Sequence, residues 1–218
     1  MLKSLYPKIS WDRVRIVGFD LDGALYDELN FIEQVYRPIS KYLSIFCNGN
    51  EKEVYIYMLQ RWLEKGSSYD HIFEDVLSLY GETGRKPSDV IQQCLTIYRN
   101  YQPKLKLSRR VSIILNYFAE RYSMFLITDG QSSLQRAKIS SLGLEKWFPL
   151  EHVSISGDYG SNYQKPALLA LKKIKLFSQK ITPELVVYFG DRQNDLLFAE
   201  NAGFQFVSVY CMQPMEIL

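Results

Sequence analysis

One short apolar segment that ends in two acidic residues does most to constrain the fold of this chain. Residues 14–19 are apolar and rich in β-branched side chains, and acidic and glycine turn signals follow at once, so we predict a buried strand. Asp20 and Asp22 come next, and in an extended segment their side chains point to the same side. Because the carboxyl ends of parallel strands border the ligand crevice of an open α/β sheet, both acids are candidate functional residues. A polar turn without a function is the alternative.

The hydrophobic pattern changes to a helical period between residues 27 and 103. Apolar residues recur there every three or four positions in four stretches, which predicts four amphipathic helices. Asn50 and Glu53 predict a capping box at the start of the second helix. Four helices without a strand interrupt a β/α alternation, so we predict that residues 27–103 form an inserted helical cap domain, which could exclude water and select the substrate. Four helices that only enlarge the core are the alternative.

The alternation of strands and helices resumes after residue 103. Ser108 can cap a helix that runs to about residue 120. Further strands are predicted from short apolar runs at residues 122–127, 153–155, 185–189 and 206–209. We therefore predict an α/β core, made of residues 1–26 and 104–218 and built on a doubly wound parallel sheet.

Two positions in this second half of the chain are suited to bind an anion. Thr128 and Asp129 end the second predicted strand just before a helix, where a hydroxyl and free backbone N–H groups can hold an anion. A simple N-cap role for Thr128 is the alternative. Pro166 suits the first turn of an α-helix, which would place Lys165 at a helix N-terminus. A cation is unfavourable there unless an anion is near.

Acidic residues also follow the fourth predicted strand. Asp191 and Asp195 lie four residues apart around a strand-to-helix turn, so four carboxylates, with Asp20 and Asp22, stand at strand ends. Such a cluster is self-repelling without a counter-charge, and oxygen ligands suit Mg²⁺, which keeps waters for a phosphate. The sequence therefore predicts a divalent cation, with the threonine and the lysine as contacts for an anion.

Composition excludes several other classes of protein. The balance of 26 basic against 24 acidic residues argues against a nucleic-acid coat or a polybasic membrane surface. The three cysteines are far apart and form no CxxC pair, so neither a zinc site nor a disulfide framework is predicted. No apolar run approaches the ~20 residues of a membrane span. We expect a soluble cytoplasmic protein without a nucleic-acid or membrane partner.

Four motifs follow one another along the chain. They are Phe19-Asp20-Leu21-Asp22-Gly23, Ile127-Thr128-Asp129-Gly130, Lys165-Pro166, and Gly190-Asp191 with Asp195. In this order they resemble the motifs of the haloacid dehalogenase (HAD) superfamily, specifically its phosphatase-type members with an inserted helical cap of the first type. The helix that follows the second motif in this family is also matched, by Gln135, Lys138 and Leu142-Gly143-Leu144. The resemblance spans nearly the whole chain.

The resemblance implies a role for each matched residue. Asp20 would attack phosphorus as the nucleophile and form an aspartyl-phosphate. Asp22 would protonate the leaving oxygen as a general acid and then activate water as a base. Thr128, Asp129 and Lys165 would bind the phosphoryl group.

The resemblance also implies the ligands of the metal ion. Mg²⁺ would be bound by Asp20, by the backbone carbonyl of Asp22 and by Asp191. Asp195 would lie in the ligand shell or just behind it.

The chain departs from the family pattern at three positions. Ala24 stands where threonine is usual, Asp129 where asparagine is common, and Arg192 where a smaller polar residue is frequent. None of these departures removes a catalytic group, so they bear on the substrate and the rate rather than on the type of reaction.

The resemblance thus implies a Mg²⁺-dependent phosphatase that hydrolyses a small phosphorylated metabolite, such as a sugar phosphate or a nucleotide. A phosphomutase of the same superfamily is one alternative, and a non-catalytic binding or regulatory module is another. A carbon–halogen hydrolase is disfavoured, because that chemistry needs neither a metal ion nor a second acid at the place of Asp22.

Overall fold

The computed structural model describes residues 2–81 and 86–215. The chain divides into two compact units. One unit contains Met1–Glu28 and Lys104–Leu218, and the other contains Leu29–Pro103. The first is called the core unit below, and the second the helical unit.

The core unit is built on one sheet, which has six strands within the described residues. The strands are β1 (Ile16–Phe19), β2 (Ser123–Thr128), β3 (Val153–Ile155), β4 (Val186–Gly190), β5 (Gln205–Tyr210) and β6 (Gln213–Pro214). Their order across the sheet is β3-β2-β1-β4-β5-β6. Strands β1 to β5 pair in parallel, and β6 pairs antiparallel with β5 at the edge. The predicted doubly wound parallel sheet is therefore confirmed.

The described residues also contain eight α-helices. They are α1 (Leu2–Leu5), α2 (Leu29–Leu43), α3 (Glu51–Lys65), α4 (Ile72–Tyr80), α5 (Pro87–Arg99), α6 (Arg109–Ala119), α7 (Ser132–Ser141) and α8 (Gln193–Ala202). None of them is both long enough and apolar enough to cross a membrane.

Strand β1 lies at the point where the order in which the chain adds strands to the sheet reverses. From β1 the chain adds β2 and β3 on one side and then crosses over to add β4 and β5 on the other. Ligands of open α/β sheets bind at such a switch point, outside the carboxyl ends of the strands. The segments after β1 and β4 therefore lie at the expected ligand crevice.

Aromatic side chains fill both faces of this sheet. On one face Phe19 stacks on Phe189 with ring centroids 5.4 Å apart, and Phe118 of α6 packs against both rings. On the other face Phe125 and Tyr188 stack with centroids 6.0 Å apart. Since burial of a large aromatic side chain removes roughly 150–250 Å² from water, these two clusters fix β1 between its neighbours.

The structure confirms the capping signal at the start of α6, and a glycine follows the end of α7. The Ser108 hydroxyl accepts a hydrogen bond from the backbone N–H of Val111 at 3.2 Å, as an N-cap does. Helix α7 stops before Gly143, whose φ of 64° is in the left-handed region. Helix α6 thus begins where the sequence predicts it.

The structure contradicts the predicted α-helix after Pro166. Leu168–Lys173 and Lys175–Phe177 instead form two 3₁₀ turns, and Lys165 lies before the first turn rather than at the N-terminus of an α-helix. Leu168 and Leu171 are three residues apart in the first turn, and the three residues per turn of a 3₁₀-helix place them on one side. In so short a segment this period is not distinguishable from the 3.6 residues of an α-helix.

Two short elements of the core unit were not predicted. Helix α1 has four residues and β6 has two, so neither is long enough to give a hydrophobic period. In β6, Pro214 faces Val209 and lies on the edge strand of the sheet, where a missing backbone N–H is tolerated.

The helical unit contains α2 to α5, the four helices that the periodicity predicts. The capping box of α3 is present: the Glu53 N–H donates to Asn50 Oδ1 at 3.1 Å, and the Asn50 N–H donates to Glu53 Oε2 at 3.2 Å. Helices α3 and α4 are joined by an ion pair between Arg61 and Asp75, at 2.8 Å.

Candidate active site at the carboxyl ends of the strands

The core unit brings polar and charged side chains together at the carboxyl ends of β1, β2 and β4. Those predicted from the sequence are Asp20, Asp22, Thr128, Asp129, Lys165, Asp191 and Asp195. Most of them are almost fully buried, although five of the seven are acids. Because buried charges are costly unless they are paired, their partners define the chemistry of the site.

Asp20 is the first residue after β1 and is held by the sheet itself. Its backbone N–H donates to the carbonyl of Phe189 at 2.8 Å, which extends the pairing of β1 with β4 by one residue. Asp20 is 5 % exposed, and its carboxylate forms an ion pair with Lys165. Burial raises the pKa of Asp20 well above its ordinary value; Lys165 opposes this shift, and the acids around it reinforce it.

Lys165 supplies the buried cation of the site. Its Nζ donates to Asp20 Oδ1 and, at 2.5 Å, to Asp195 Oδ1, and it lies 3.4 Å from the hydroxyl oxygen of Tyr188. Burial alone would lower the pKa of Lys165, yet the pKa is raised well above its ordinary value because Asp195 and Asp20 stabilise the charged form. Lys165 therefore stays protonated.

Asp195 organises the loop after β4. Its Oδ2 accepts hydrogen bonds from the backbone N–H groups of Asp191 at 3.2 Å and of Arg192 at 3.1 Å, while Oδ1 accepts from Lys165. Asp195 is the third residue of α8, so one carboxylate closes the first turn of the helix and fixes the loop that carries Asp191.

Three of the acids could hold a metal ion. Among the described residues, Asp20, Asp191 and Asp195 each offer a carboxylate oxygen, and these oxygens lie within 4.8 Å of one another. Asp191 Oδ1 is buried and has no hydrogen-bond partner in the described part of the chain. Burial raises the pKa of Asp191 to about 7; Arg192 opposes this shift, and Asp195 adds to it. A cluster of hard oxygen donors with an unsatisfied carboxylate fits a divalent cation such as Mg²⁺ or Ca²⁺.

The backbone at Gly23 leaves room for Asp191. Gly23 has a φ of 79°, and a Cβ atom built on it would overlap the Asp191 carboxylate. Both the left-handed conformation and the close approach require glycine at this position.

The carboxylate of Asp22 is not part of the three-acid cluster and has its own donors. Its Oδ1 accepts from Lys138 Nζ at 2.6 Å and from the Tyr26 hydroxyl, and its Oδ2 accepts from Gln135 Nε2 at 2.8 Å. Burial alone would raise the pKa of Asp22, but the charge and the hydrogen bond of Lys138 lower it overall, with help from Tyr26 and Gln135. Asp22 is therefore ionised in this structure.

Thr128 and Asp129 end β2 beside these acids. Thr128 Oγ1 accepts from Gln135 Nε2 at 2.6 Å. Asp129 Oδ2 accepts from the backbone N–H of Lys165 at 3.1 Å, whereas Asp129 Oδ1 is buried without a partner in the described residues. Gln131, not Thr128, caps α7, so the alternative that Thr128 is a simple N-cap is wrong.

Tyr26 and Tyr188 were not among the predicted site residues. Gln135 and Lys138 were noted only because they match the helix that follows the second motif in the HAD family. The sequence does contain a signal for Gln135 and Lys138. They lie three residues apart in α7 and share its buried face with Leu134. No comparable signal marks the tyrosines among the 16 in the chain.

A family model of haloacid dehalogenase-like hydrolases matches residues 17–209, a range that includes every residue of this site. The chain therefore belongs to the haloacid dehalogenase-like hydrolases, a family of hydrolase-type enzymes. No curated protein sequence matches the chain significantly.

Solved structures of this family share the fold. A HAD-superfamily hydrolase of subfamily IA, variant 1, from Geobacter sulfurreducens has a TM-score of 0.66 and 19% identity, over 90% of this chain and 87% of that chain. The HAD-hydrolase YfnB from Bacillus subtilis, solved bound to magnesium, has a TM-score of 0.63 and 17% identity, over 90% and 86%. A Thermotoga maritima protein described as a β-phosphoglucomutase has a TM-score of 0.61 and 22% identity, over 89% and 85%.

Proposed function

We propose that this chain is a Mg²⁺-dependent phosphatase that hydrolyses a small phosphorylated metabolite through an aspartyl-phosphate. The observation that carries the proposal is the buried contact of Lys165 with Asp20, which is itself one of the acids of the three-acid cluster. A carboxylate, a fixed cation and a divalent-metal site are the groups that phosphoryl transfer needs for positioning and charge neutralisation.

Asp20 is the nucleophile in this proposal. One of its carboxylate oxygens attacks phosphorus, the bond from phosphorus to the leaving oxygen breaks, and an aspartyl-phosphate forms. Lys165 and the Thr128 hydroxyl bind the oxygens of the phosphoryl group that is transferred. Asp129 lies next to them. The permanent charge of Lys165, which follows from its raised pKa, supports this role.

Asp22 moves the protons. It gives a proton to the leaving oxygen in the first step and takes one from the attacking water in the second, so the protons balance over one turnover. The water oxygen then bonds to phosphorus, inorganic phosphate leaves, and the Asp20 carboxylate is regenerated. The lowered pKa of Asp22 leaves it without a proton before substrate binds, so the proton that it gives to the leaving oxygen is first taken from the phosphate monoester, bound as its monoanion. After this transfer Asp22 is again unprotonated, as the base of the second step must be.

The metal ligands in this proposal are Asp20, Asp191, the backbone carbonyl of Asp22, and Asp195 within or just behind the ligand shell. Bound Mg²⁺ would neutralise charge on the phosphoryl oxygens. The unsatisfied Asp191 Oδ1 and the magnesium-bound state of YfnB support the choice of this ion.

The helical unit Leu29–Pro103 is proposed as the cap domain that selects the substrate. We further propose a cytoplasmic enzyme whose partner is a phosphorylated small molecule, a sugar phosphate or a nucleotide, rather than a nucleic acid or a membrane. The near balance of charges in the chain supports this choice.

A phosphomutase is the second candidate, and the similarity to the Thermotoga maritima protein favours it. A mutase would return the phosphoryl group from Asp20 to another substrate oxygen instead of to water. With a phosphorylated sugar as substrate, an isomeric product without free phosphate would identify a mutase.

The test is phosphate release from 4-nitrophenyl phosphate with Mg²⁺ and with a chelator, for the wild type and for Asp20→Asn. Asp12→Asn is the control, because Asp12 is an exposed acid whose partner is Lys3. We expect metal-dependent release from the wild type and from Asp12→Asn, and none from Asp20→Asn. Equal release from Asp20→Asn, or release that survives the chelator, would contradict the proposal. A folded wild type that binds Mg²⁺ but releases no phosphate from any phosphorylated substrate would point to the non-catalytic module.

A further inference from the structure

We propose that Gln135 and Lys138 are positioning residues that set the geometry of the proposed reaction from the buried face of α7. In this assignment Lys138 orients the carboxylate of Asp22, and Gln135 orients both Asp22 and the hydroxyl of Thr128. The inference rests on the phosphatase function proposed above, and it adds two residues that act through Asp22 and Thr128 rather than directly on the substrate.

The position of the two side chains in the helix supports the assignment. Gln135 and Lys138 are three residues apart, so both lie on the side of α7 that also buries Leu134 and Ile139. Gln135 is 2 % exposed and Lys138 is 3 % exposed. Burial of a polar side chain is costly unless its hydrogen bonds are made. If this face of α7 served packing alone, apolar residues would be sufficient at both positions.

Lys138 holds one oxygen of Asp22. The Lys138 Nζ donates to Asp22 Oδ1 at 2.6 Å, and the Tyr26 hydroxyl donates to the same oxygen. A buried lysine and a buried carboxylate at this distance restrict each other, because their separation would break a buried ion pair. The rotamer of Asp22 is therefore held both by Lys138 of α7 and by Tyr26 of its own segment.

Gln135 joins three groups of the site through one nitrogen. Its Nε2 lies 2.8 Å from Asp22 Oδ2, 2.6 Å from Thr128 Oγ1 and 2.8 Å from the carbonyl oxygen of Asp129. The carboxylate and the carbonyl can only accept, so the amide must present its N–H groups to this side. Two hydrogens for three acceptors means that one of these contacts is shared.

The direction of the Thr128 hydroxyl follows from the same contact. Because Gln135 donates to Thr128 Oγ1, the hydroxyl hydrogen points away from Gln135 and remains available for an acceptor. A phosphoryl oxygen is the acceptor that the proposed reaction supplies. Gln135 thereby couples the group that binds phosphate to the group that moves protons.

The experiment compares four variants with the wild type. Gln135→Met and Lys138→Met remove the donors and keep side-chain bulk, and Lys138→Arg keeps the charge. Arg136→Met is the matched control, since Arg136 lies on the exposed side of the same helix, where it pairs with Asp158. The measurements are kcat and KM for 4-nitrophenyl phosphate with Mg²⁺, and inhibition by inorganic phosphate.

The two positions give different expected results. Lys138→Met should lower kcat on the order of 100-fold, the effect of a displaced catalytic group, with KM and phosphate inhibition unchanged. Lys138→Arg should recover a large part of that loss. Gln135→Met should lower kcat and also weaken inhibition by phosphate, because Thr128 loses its orientation. Arg136→Met should behave as the wild type.

Folding is controlled separately, because loss of Lys138 leaves the Asp22 carboxylate without its cation. Rates are measured at a temperature well below the unfolding midpoint of the least stable variant. If Lys138→Met does not fold, Lys138→Arg still tests the role of Lys138. A kcat in Gln135→Met or in Lys138→Met that equals that of the wild type and of Arg136→Met would overturn the inference. A wild type without phosphatase activity would overturn the proposed function, and this inference with it.

Discussion

Lys165 Nζ lies 2.5 Å from Asp195 Oδ1, and this buried contact links the cation of the site to the loop after β4. Asp195 in turn accepts from the backbone of Asp191 and Arg192. One lysine thus supports the proposed nucleophile, through Asp20, and one side of the metal site, through Asp195. A substitution of Lys165 should therefore affect both the proposed nucleophile and the metal site.

Lys165→Met should therefore reduce stability as well as activity. Removal of one partner from a buried ion pair costs about 3–5 kcal/mol, and here two carboxylates lose their cation. The free energy of unfolding is measured with urea in the presence of a chelator. Lys175→Met is the control, because Lys175 is 71% exposed and pairs with Glu151 at the surface. Equal unfolding midpoints for the two variants would contradict the structural role of Lys165.

The stability of the metal-free protein should fall as the pH rises from about 4 towards 7. Burial raises the pKa of Asp191 to about 7 from 3.8, so between these values the folded state binds a proton that the unfolded state has lost. Stability then decreases with pH, with a slope of up to about 1.4 kcal/mol per pH unit from this residue. Asp20, whose pKa is also raised, acts in the same direction.

Urea titrations across this pH range measure the effect, and Asp191→Asn should flatten the curve. Asp22 has a lowered pKa, so its contribution is lost only in acid, as the pH falls through that pKa. Saturating Mg²⁺ should reverse the trend above pH 7, because the ion binds the charged carboxylates. A metal-free protein that becomes more stable from pH 4 to 7 would contradict the burial of Asp191.

Asp129→Asn should strengthen the binding of inorganic phosphate. Asp129 has one oxygen on the backbone N–H of Lys165 and one buried oxygen without a described partner, and burial raises its pKa. Asparagine keeps the acceptor and replaces a repelling carboxylate with an N–H donor, so the inhibition constant for phosphate should fall about 5-fold, roughly 1 kcal/mol. Unchanged or weaker inhibition relative to Asp12→Asn would show that Asp129 does not face the phosphate.

Gly23→Ala should weaken the binding of Mg²⁺, and Gly143→Ala should not. Both glycines have a positive φ, so alanine costs roughly 1 kcal/mol of backbone strain at either position. At Gly143 a Cβ meets nothing within 4 Å, whereas at Gly23 it would overlap the Asp191 carboxylate. Calorimetric titration with Mg²⁺ separates the two effects, and equal affinities for the two variants would argue against Asp191 as a ligand.

The sequence was sufficient to predict the sheet and the group of acids at its edge. Residues 14–19 and Asp20 illustrate why: a short apolar run shows a buried strand, and parallel pairing then brings the end of that strand beside the residues after β4. Thr128 and Asp191 were located by the same argument. Local signals at Asn50 and Ser108 also fixed where two helices begin.

The partners of these acids could not be predicted in the same way. Lys138 is 116 residues from Asp22 in the chain, and no local pattern states which buried side chain will meet which carboxylate. The prediction of an α-helix directly after Lys165 was wrong for another reason. Over a few residues, a hydrophobic period of three residues coincides with a period of 3.6 residues. Side-chain pairing thus depends on tertiary packing that motifs do not encode.

The backbone hydrogen bond from Asp20 to Phe189 has a consequence for local unfolding. The amide of Asp20 belongs to the central pairing of the sheet, between strands that are covered on both faces. Amides in such positions exchange with solvent through global opening of the molecule rather than through local fluctuation. The proposed nucleophile should therefore be among the slowest amides to exchange, and heating should abolish activity and the folded sheet together.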